Sequence, residues 1–245
     1  GKLSYEIDGD IYYPVQEAKP VLHICKAKFP NESNLSLGIT KAMQLDNTEA
    51  ESRVIKSKAY PDMKIDVAVN RSLIDFYNTY PSAYTNNDKM TYFRVYADTP
   101  MNEDVKKQTY PALRSCLQGL SEHQAVSRLL NFVQTGFEYE YDETIWGCDR
   151  AFFAEETLYY PYCDCEDRSI LLTRLIRDLL GLDCVLIYYP GHLACAVNFT
   201  QKEKGDYYMY NQKEYTVCDP TYINAPIGVQ MPNFKDKEAT VVPIK

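Results

Sequence analysis

The chain is short of several things that would betray common functions. No run of about 18 apolar residues occurs in its 245 residues, so no membrane-spanning helix is expected. Positive charge is scarce: 26 Lys and Arg stand against 34 Asp and Glu, a formal net charge of −8, with no Lys/Arg cluster. A nucleic-acid binder needs a basic footprint for phosphates, so nucleic acid is not expected as a partner. No two cysteines have C-x-x-C spacing, which removes the usual zinc-ligand pair. A set drawn from Cys148, Cys163, Cys165 and His192 is the remaining metal alternative, and neither metal nor cofactor is expected. Residues 1 to 100 contain no nucleotide-binding loop and no repeated unit. Histidine is limited to His23, His123 and His192, and tryptophan to Trp146.

What is present is organised around Tyr162-Cys163-Asp164-Cys165-Glu166-Asp167-Arg168-Ser169 and the apolar run that follows. Leu171, Leu172, Leu175, Ile176 and Leu179 recur at helical spacing, with Arg168, Arg174, Arg177 and Asp178 mostly off that stripe, and Gly181 stops the helix. A cysteine at such a helix start meets unpaired N–H groups and the positive end of the helix dipole, which favour thiolate. Downstream, 184–190 and 192–199 read as two strands turned by Gly191, which puts His192 at a strand start. Residues 206–210 and 215–218 read as a hairpin across Asn211-Gln212-Lys213-Glu214, leading to Asp219-Pro220-Thr221. Cys165, His192 and Asp219 follow in that order, each 27 positions after the one before.

The helix-opening C-E-D, the G-H at a strand start and the D-P-T after a hairpin resemble the transglutaminase-like core, a papain-related cysteine catalytic fold. The motifs cover 137 to 221; more loosely, 70 to 222 is similar to transglutaminase-like proteins of Bacteroidetes-type bacteria. The resemblance implies an α+β fold in which a nucleophile helix packs on an antiparallel sheet, with a β-rich region over 1–100 and the catalytic core over 101–245. It implies Cys165 as nucleophile, His192 as general base and acid, and Asp219 as orienter of the imidazole. The expected substrate is a peptide or protein amide, with hydrolysis preferred to cross-linking, and the expected place is periplasmic or cell-surface. The chain begins at Gly1, which fits a product trimmed of a leader. A non-catalytic binding or structural module of the same fold is the alternative. In the family an aromatic commonly follows the histidine by two positions, where this chain has Leu193-Ala194.

Other residues have competing readings. Cys163 is a second nucleophile candidate, and Asp219 before Pro220 is also an ordinary turn former. The backbone N–H of Cys165 is one natural oxyanion donor, with Trp146 or Gln134 as the second. His123 is read as solvent-facing in a first helical turn and His23 as structural. Cys184, Cys195 and Cys218 lie in β-type runs as small buried hydrophobes, and eight cysteines in a chain this long need not be a disulfide framework. The 22 tyrosines suit half-buried sheet positions and the lining of a groove. Towards the N-terminus, 3–7, 21–26, 64–69 and 91–96 read as strands and Asn70 to Tyr80 as a helix capped by Asn70, while 46–57 fits helix surface or loop. Ser121 with Gln124 signals a capping box before a helix from Ala125 to Phe137, and 138–160 is expected as an irregular cleft wall.

Overall fold

Local capping signals start and stop the elements, and the burial of one helix decides how they assemble. The computed structural model describes residues 5–7, 10–12, 38–46, 50–80 and 89–245. Strands β1 (Tyr5–Ile7) and β2 (Asp10–Tyr12) pair antiparallel. A second antiparallel pair joins β3 (Arg53–Lys56) to β4 (Lys64–Val67), burying Ile55, Ile65 and Val67 and exposing Val54, Lys64 and Asp66 with the period of two of a half-buried strand. The polar stretch 46–57, open between helix surface and loop in the sequence, therefore contains a strand. The strand expected over 21–26, with His23, lies outside the described residues.

Helix α1 (Arg71–Asn78) begins where the Asn70 side chain accepts the Ser72 N–H at 3.0 Å, as the cap predicts. Helix α2 (Lys89–Asp98) corrects the reading of 91–96 as a strand. Its aromatic and β-branched residues favour a strand locally, but Tyr92, Phe93, Tyr96 and Ala97 are buried at helical spacing, and packing overrides propensity. Residues 1–100 thus contribute helices as well as hairpins. Nor does Thr99-Pro100 separate two cores: Ile55, Leu73 and Tyr96 share one hydrophobic cluster with Leu129, Leu172 and Val242.

Helix α3 (Glu103–Leu117) is capped by Asn102, and α4 (Glu122–Gly136) by the predicted Ser121–Gln124 box. The segment expected as an irregular wall holds β5 (Glu138–Tyr139), α5 (Asp142–Ile145) and α6 (Ala154–Tyr159), and β6 (Tyr162–Cys163) returns parallel to β5. Next comes α7 (Cys165–Leu180), ended by Gly181 in the left-handed region at φ +69°, where a Cβ would add strain. Its Leu171, Leu172, Leu175 and Ile176 are buried, each contributing about 1.5–3 kcal/mol by leaving water.

Around α7 lie α2, α4, α6 and a five-stranded antiparallel sheet. The sheet comprises β7 (Cys184–Tyr189), β8 (His192–Val197), β9 (Tyr207–Tyr210), β10 (Lys213–Cys218) and β11 (Thr240–Pro243), in the order β11-β7-β8-β10-β9. The β9–β10 loop is tighter than expected, because Lys213 already pairs with Tyr210 and only Asn211 and Gln212 turn, at φ 46° and 63°. One sheet face, through Leu186, Leu193, Cys195 and Cys218, joins the helical core; the other gathers Ile187, Tyr189, Ala196 and Tyr215 with Phe234. The fold is therefore α+β. Cys116, Cys148, Cys163, Cys165, Cys184, Cys195 and Cys218 are free thiols, the last three of the run buried in the sheet as expected. Among the described residues no helix is long and apolar enough to cross a membrane.

Candidate active site

His192 and Asp219 meet because β8 and β10 are neighbours whose ladder runs from Thr216–Val197 to Cys218–Cys195. One residue beyond that ladder, the Asp219 side chain reaches His192 at the strand start, with Oδ2 2.8 Å from Nε2. Its other oxygen accepts N–H groups of Thr221 at 2.8 Å and Tyr222 at 3.3 Å. The turn reading of Asp-Pro-Thr and the orienting reading are thus both satisfied, one by each oxygen. Both residues are buried, so water does not compete for the pair. Since Asp219 holds Nε2, Nδ1 is the ring nitrogen left for another partner.

Cys165 is the first residue of α7 and 8% exposed. Pairing with β10 stops before it would reach Leu193, and the Leu193 N–H turns to the Cys165 sulfur instead. The sulfur therefore lies against the His192–Leu193 peptide. The tie between helix and strand is repeated one turn on, where the Ser169 hydroxyl donates to the Leu193 carbonyl at 2.9 Å.

The thiolate preference expected from the helix start is outweighed by what surrounds the sulfur. Burial pushes the Cys165 thiol well above its ordinary value, the charges of Glu166 and Asp164 add to this, and only the Leu193 N–H opposes. The thiol donates to Glu166 Oε2 at 3.0 Å. The carboxyl groups nearby are displaced as well: burial raises Asp142 to about 7 and pushes Asp164 and Asp167 upward, each with neighbouring carboxylates adding to the shift.

Two aromatic rings supply the imidazole cover that Leu193-Ala194 does not. Tyr189, opposite His192 in the β7–β8 hairpin, lies parallel to it at 5.9 Å between centroids, and Phe234 at 4.7 Å with planes 17° apart. Phe234 comes from the short 3-10 turn Pro232–Phe234 ahead of the edge strand β11, which nothing near His192 in sequence announces.

Gln134 is not placed as an oxyanion donor. It is 2% exposed on α4, and its amide donates to the carbonyls of Asp219, Tyr222 and Ala225 at 3.1, 2.9 and 3.1 Å. That staples the loop carrying Asp219. Trp146 packs edge-on to Phe152 and Tyr160 beneath the Arg150 guanidinium, in the wall between α5 and α6. Tyr139 and Tyr141, exposed and edge-to-face at 5.5 Å, form part of the same wall, and Tyr139 pairs across β5 and β6 with Cys163, two residues before Cys165.

Arg168 is the residue that pattern reading misplaced. Expected off the stripe, it is 1% exposed and donates to the carbonyls of Phe137, Gln134 and Pro220 and to the Cys163 sulfur. With Leu171, Leu172 and Leu175 it stands at i, i+3, i+4 and i+7, so a helical wheel drawn without regard to charge would have found it. Cys163 is buried between Arg168 and the Glu138 carbonyl, and burial raises its thiol to about 12. It is not brought together with Cys148 and His192 as a ligand set. Of the other histidines in reach, His123 is exposed and pairs with Glu203 at 3.0 Å.

Comparison with protein-family models gives no match to this chain, and comparison with curated proteins gives none.

Proposed function

We propose that the chain is a transglutaminase-like cysteine enzyme acting on amide bonds, with Cys165 as nucleophile, His192 as acid and base, and Asp219 holding the imidazole. The observation that carries this reading is the buried 2.8 Å His192–Asp219 contact, made through Nε2, beside a helix-opening cysteine whose sulfur lies at the His192–Leu193 peptide. As the sulfur attacks an amide carbonyl, its proton passes to His192 and a C–S bond forms. Collapse breaks the C–N bond, His192 returns the proton to the departing amine, and a thioester remains on Cys165. Water, deprotonated by His192, then releases a carboxylate and restores the thiol. The exposed Tyr139–Tyr141 pair beside Cys165 suits a peptide lying along the wall, and hydrolysis is preferred to transfer onto a second amine.

A second reading is favoured by one observation: the burial and carboxylate surroundings that oppose ionisation of Cys165 fit a fold that binds without turnover. Intact-mass trapping with peptidyl vinyl sulfones and with activated amides separates the two. The enzymatic reading expects one adduct, on Cys165, lost in Cys165→Ser and in His192→Ala, with Cys165→Ser melting like the parent. The double variant loses little beyond either single one, as residues acting together do. A parent never labelled at Cys165, yet melting like Cys165→Ser, is a binding module.

A further inference from the structure

The ladder between β8 and β10 stops short of the strand start that carries His192, and Pro220 is the reason. Val217 gives its N–H to the Asp206 carbonyl at 3.0 Å and accepts the Gly228 N–H at 2.8 Å, both away from β8. Its neighbours Thr216 and Cys218 therefore face β8, as alternation in an antiparallel pair requires. Two positions beyond the Cys218–Cys195 pair, the same ladder would set Pro220 against Leu193. Proline has no N–H to give, so the Leu193 carbonyl loses its strand donor there.

The first turns of α7 fill the gap. Ser169 and Leu193 are both buried, and the Ser169 hydroxyl donates to the Leu193 carbonyl at 2.9 Å. The Leu193 N–H turns to the sulfur of Cys165, four residues before Ser169. Positions i and i+4 lie one above the other on a helix face, so this face of α7 grips Leu193 by both of its backbone groups. The Pro220 carbonyl, which the Leu193 N–H would have served in a continuing ladder, accepts from the Arg168 guanidinium at 3.5 Å. His192 precedes Leu193 and Asp219 precedes Pro220. The helix that carries the nucleophile is thereby tied to the two segments that carry its partners, through buried carbonyls that must each find a donor.

We propose that Ser169 is a positioning residue for the acyl-transfer reaction, its hydroxyl replacing the strand donor that Pro220 cannot supply and so fixing the start of β8, with His192, against Cys165. The proposal rests on the acyl-transfer reading. Ser169 acts through Leu193 and not on the reacting atoms. A hydroxyl that only satisfied a core carbonyl would add to stability and leave the reactivity of the folded protein alone; a positioning hydroxyl changes that reactivity, because small displacements of a reacting pair are costly.

Two labelling rates at Cys165, read by mass on its own peptide and normalised to folded protein, test this: that of a peptidyl vinyl sulfone, and that of iodoacetamide across pH. Ser169→Ala removes one oxygen from a helix that favours alanine, so it should fold. Its vinyl-sulfone labelling should fall by about 10- to 100-fold, the cost of a misplacement of about 1 Å. Its alkylation should rise at higher pH than the parent's, because the Leu193 N–H that favours the thiolate is no longer held at the sulfur. Ser169→Thr returns the hydroxyl with an extra methyl group in a packed core, so it should melt below the parent and yet recover both the rate and the pH profile. A Ser169→Ala protein that labels and alkylates like the parent, whatever its melting temperature, overturns the proposal, and so does a folded Ser169→Thr that reacts no faster than Ser169→Ala. A parent that takes no vinyl sulfone at Cys165 sinks the acyl-transfer reading itself, and the role of Ser169 in that reaction with it.

Discussion

Gln134→Ala is the substitution that best divides structure from chemistry. The Gln134 amide has two hydrogens and serves three carbonyls at 2.9 to 3.1 Å, those of Asp219, Tyr222 and Ala225. Truncation leaves the Asp219 and Ala225 carbonyls without a donor, while the Tyr222 carbonyl keeps the Ala225 N–H at 3.0 Å; each lost partner costs about 1–3 kcal/mol, partly relieved where the loop moves or water enters. The sum is about 3–5 kcal/mol, a large share of the ~5–15 kcal/mol that holds a domain together. For a chain of this length each kcal/mol shifts Tm by about 2–4 °C, so the variant should melt about 10 °C or more below the parent. Gln134→Glu should do no better at neutral pH, because a carboxylate would face the same carbonyl oxygens. Calorimetry and urea unfolding measure the loss, and labelling at Cys165, normalised to folded protein, measures what reaches the site. An oxyanion donor would behave in the opposite way. If Gln134→Ala melts within about 2 °C of the parent while labelling collapses, the staple is refuted and the amide belongs to the reaction.

Three further outcomes follow from the same geometry. Alkylation of Cys165 should be slow at neutral pH and rise only in the alkaline range, and Glu166→Gln should move that rise to lower pH by removing the adjacent charge; an unchanged profile would separate the sulfur from Glu166. Burial raises Asp142 and Glu156 to about 7 from ordinary values near 4, so the folded state holds protons that the unfolded state has released. Stability should therefore be greatest at acidic pH, below about 4 for these groups alone, and fall as pH rises through 7; a melting temperature no higher at pH 5 than at pH 8 contradicts this. Phe234→Ala should keep the fold, since the ring is only part-buried, at a cost of about 1–2 kcal/mol. It should slow labelling of Cys165 and alter its pH profile by loosening His192, whereas Phe234→Tyr should restore both.

The elements that the sequence by itself determined are those whose causes lie within a few residues. The Asn70 cap, the Ser121–Gln124 box, the Leu171–Ile176 stripe closed by Gly181 and the turn at Gly191 are each made by side chains one helical turn or one hairpin apart. The order of Cys165, His192 and Asp219 was legible for the same reason, since a helix start, a strand start and a post-hairpin turn are local marks. The tertiary structure alone decided the rest. Residues 91–96 read as a strand until three of their side chains, with Ala97, found a helical core, and Arg168 is buried because three carbonyls from two other segments converge on it. Gln134 changed from candidate donor to staple because of a loop far along the chain, and Phe234 covers His192 from a segment that carries no motif. Most consequentially, the helix start favours a thiolate, yet burial and the carboxylates around Cys165 reverse that preference. Such balances are sums over neighbours in space, and a chain read in order does not contain them.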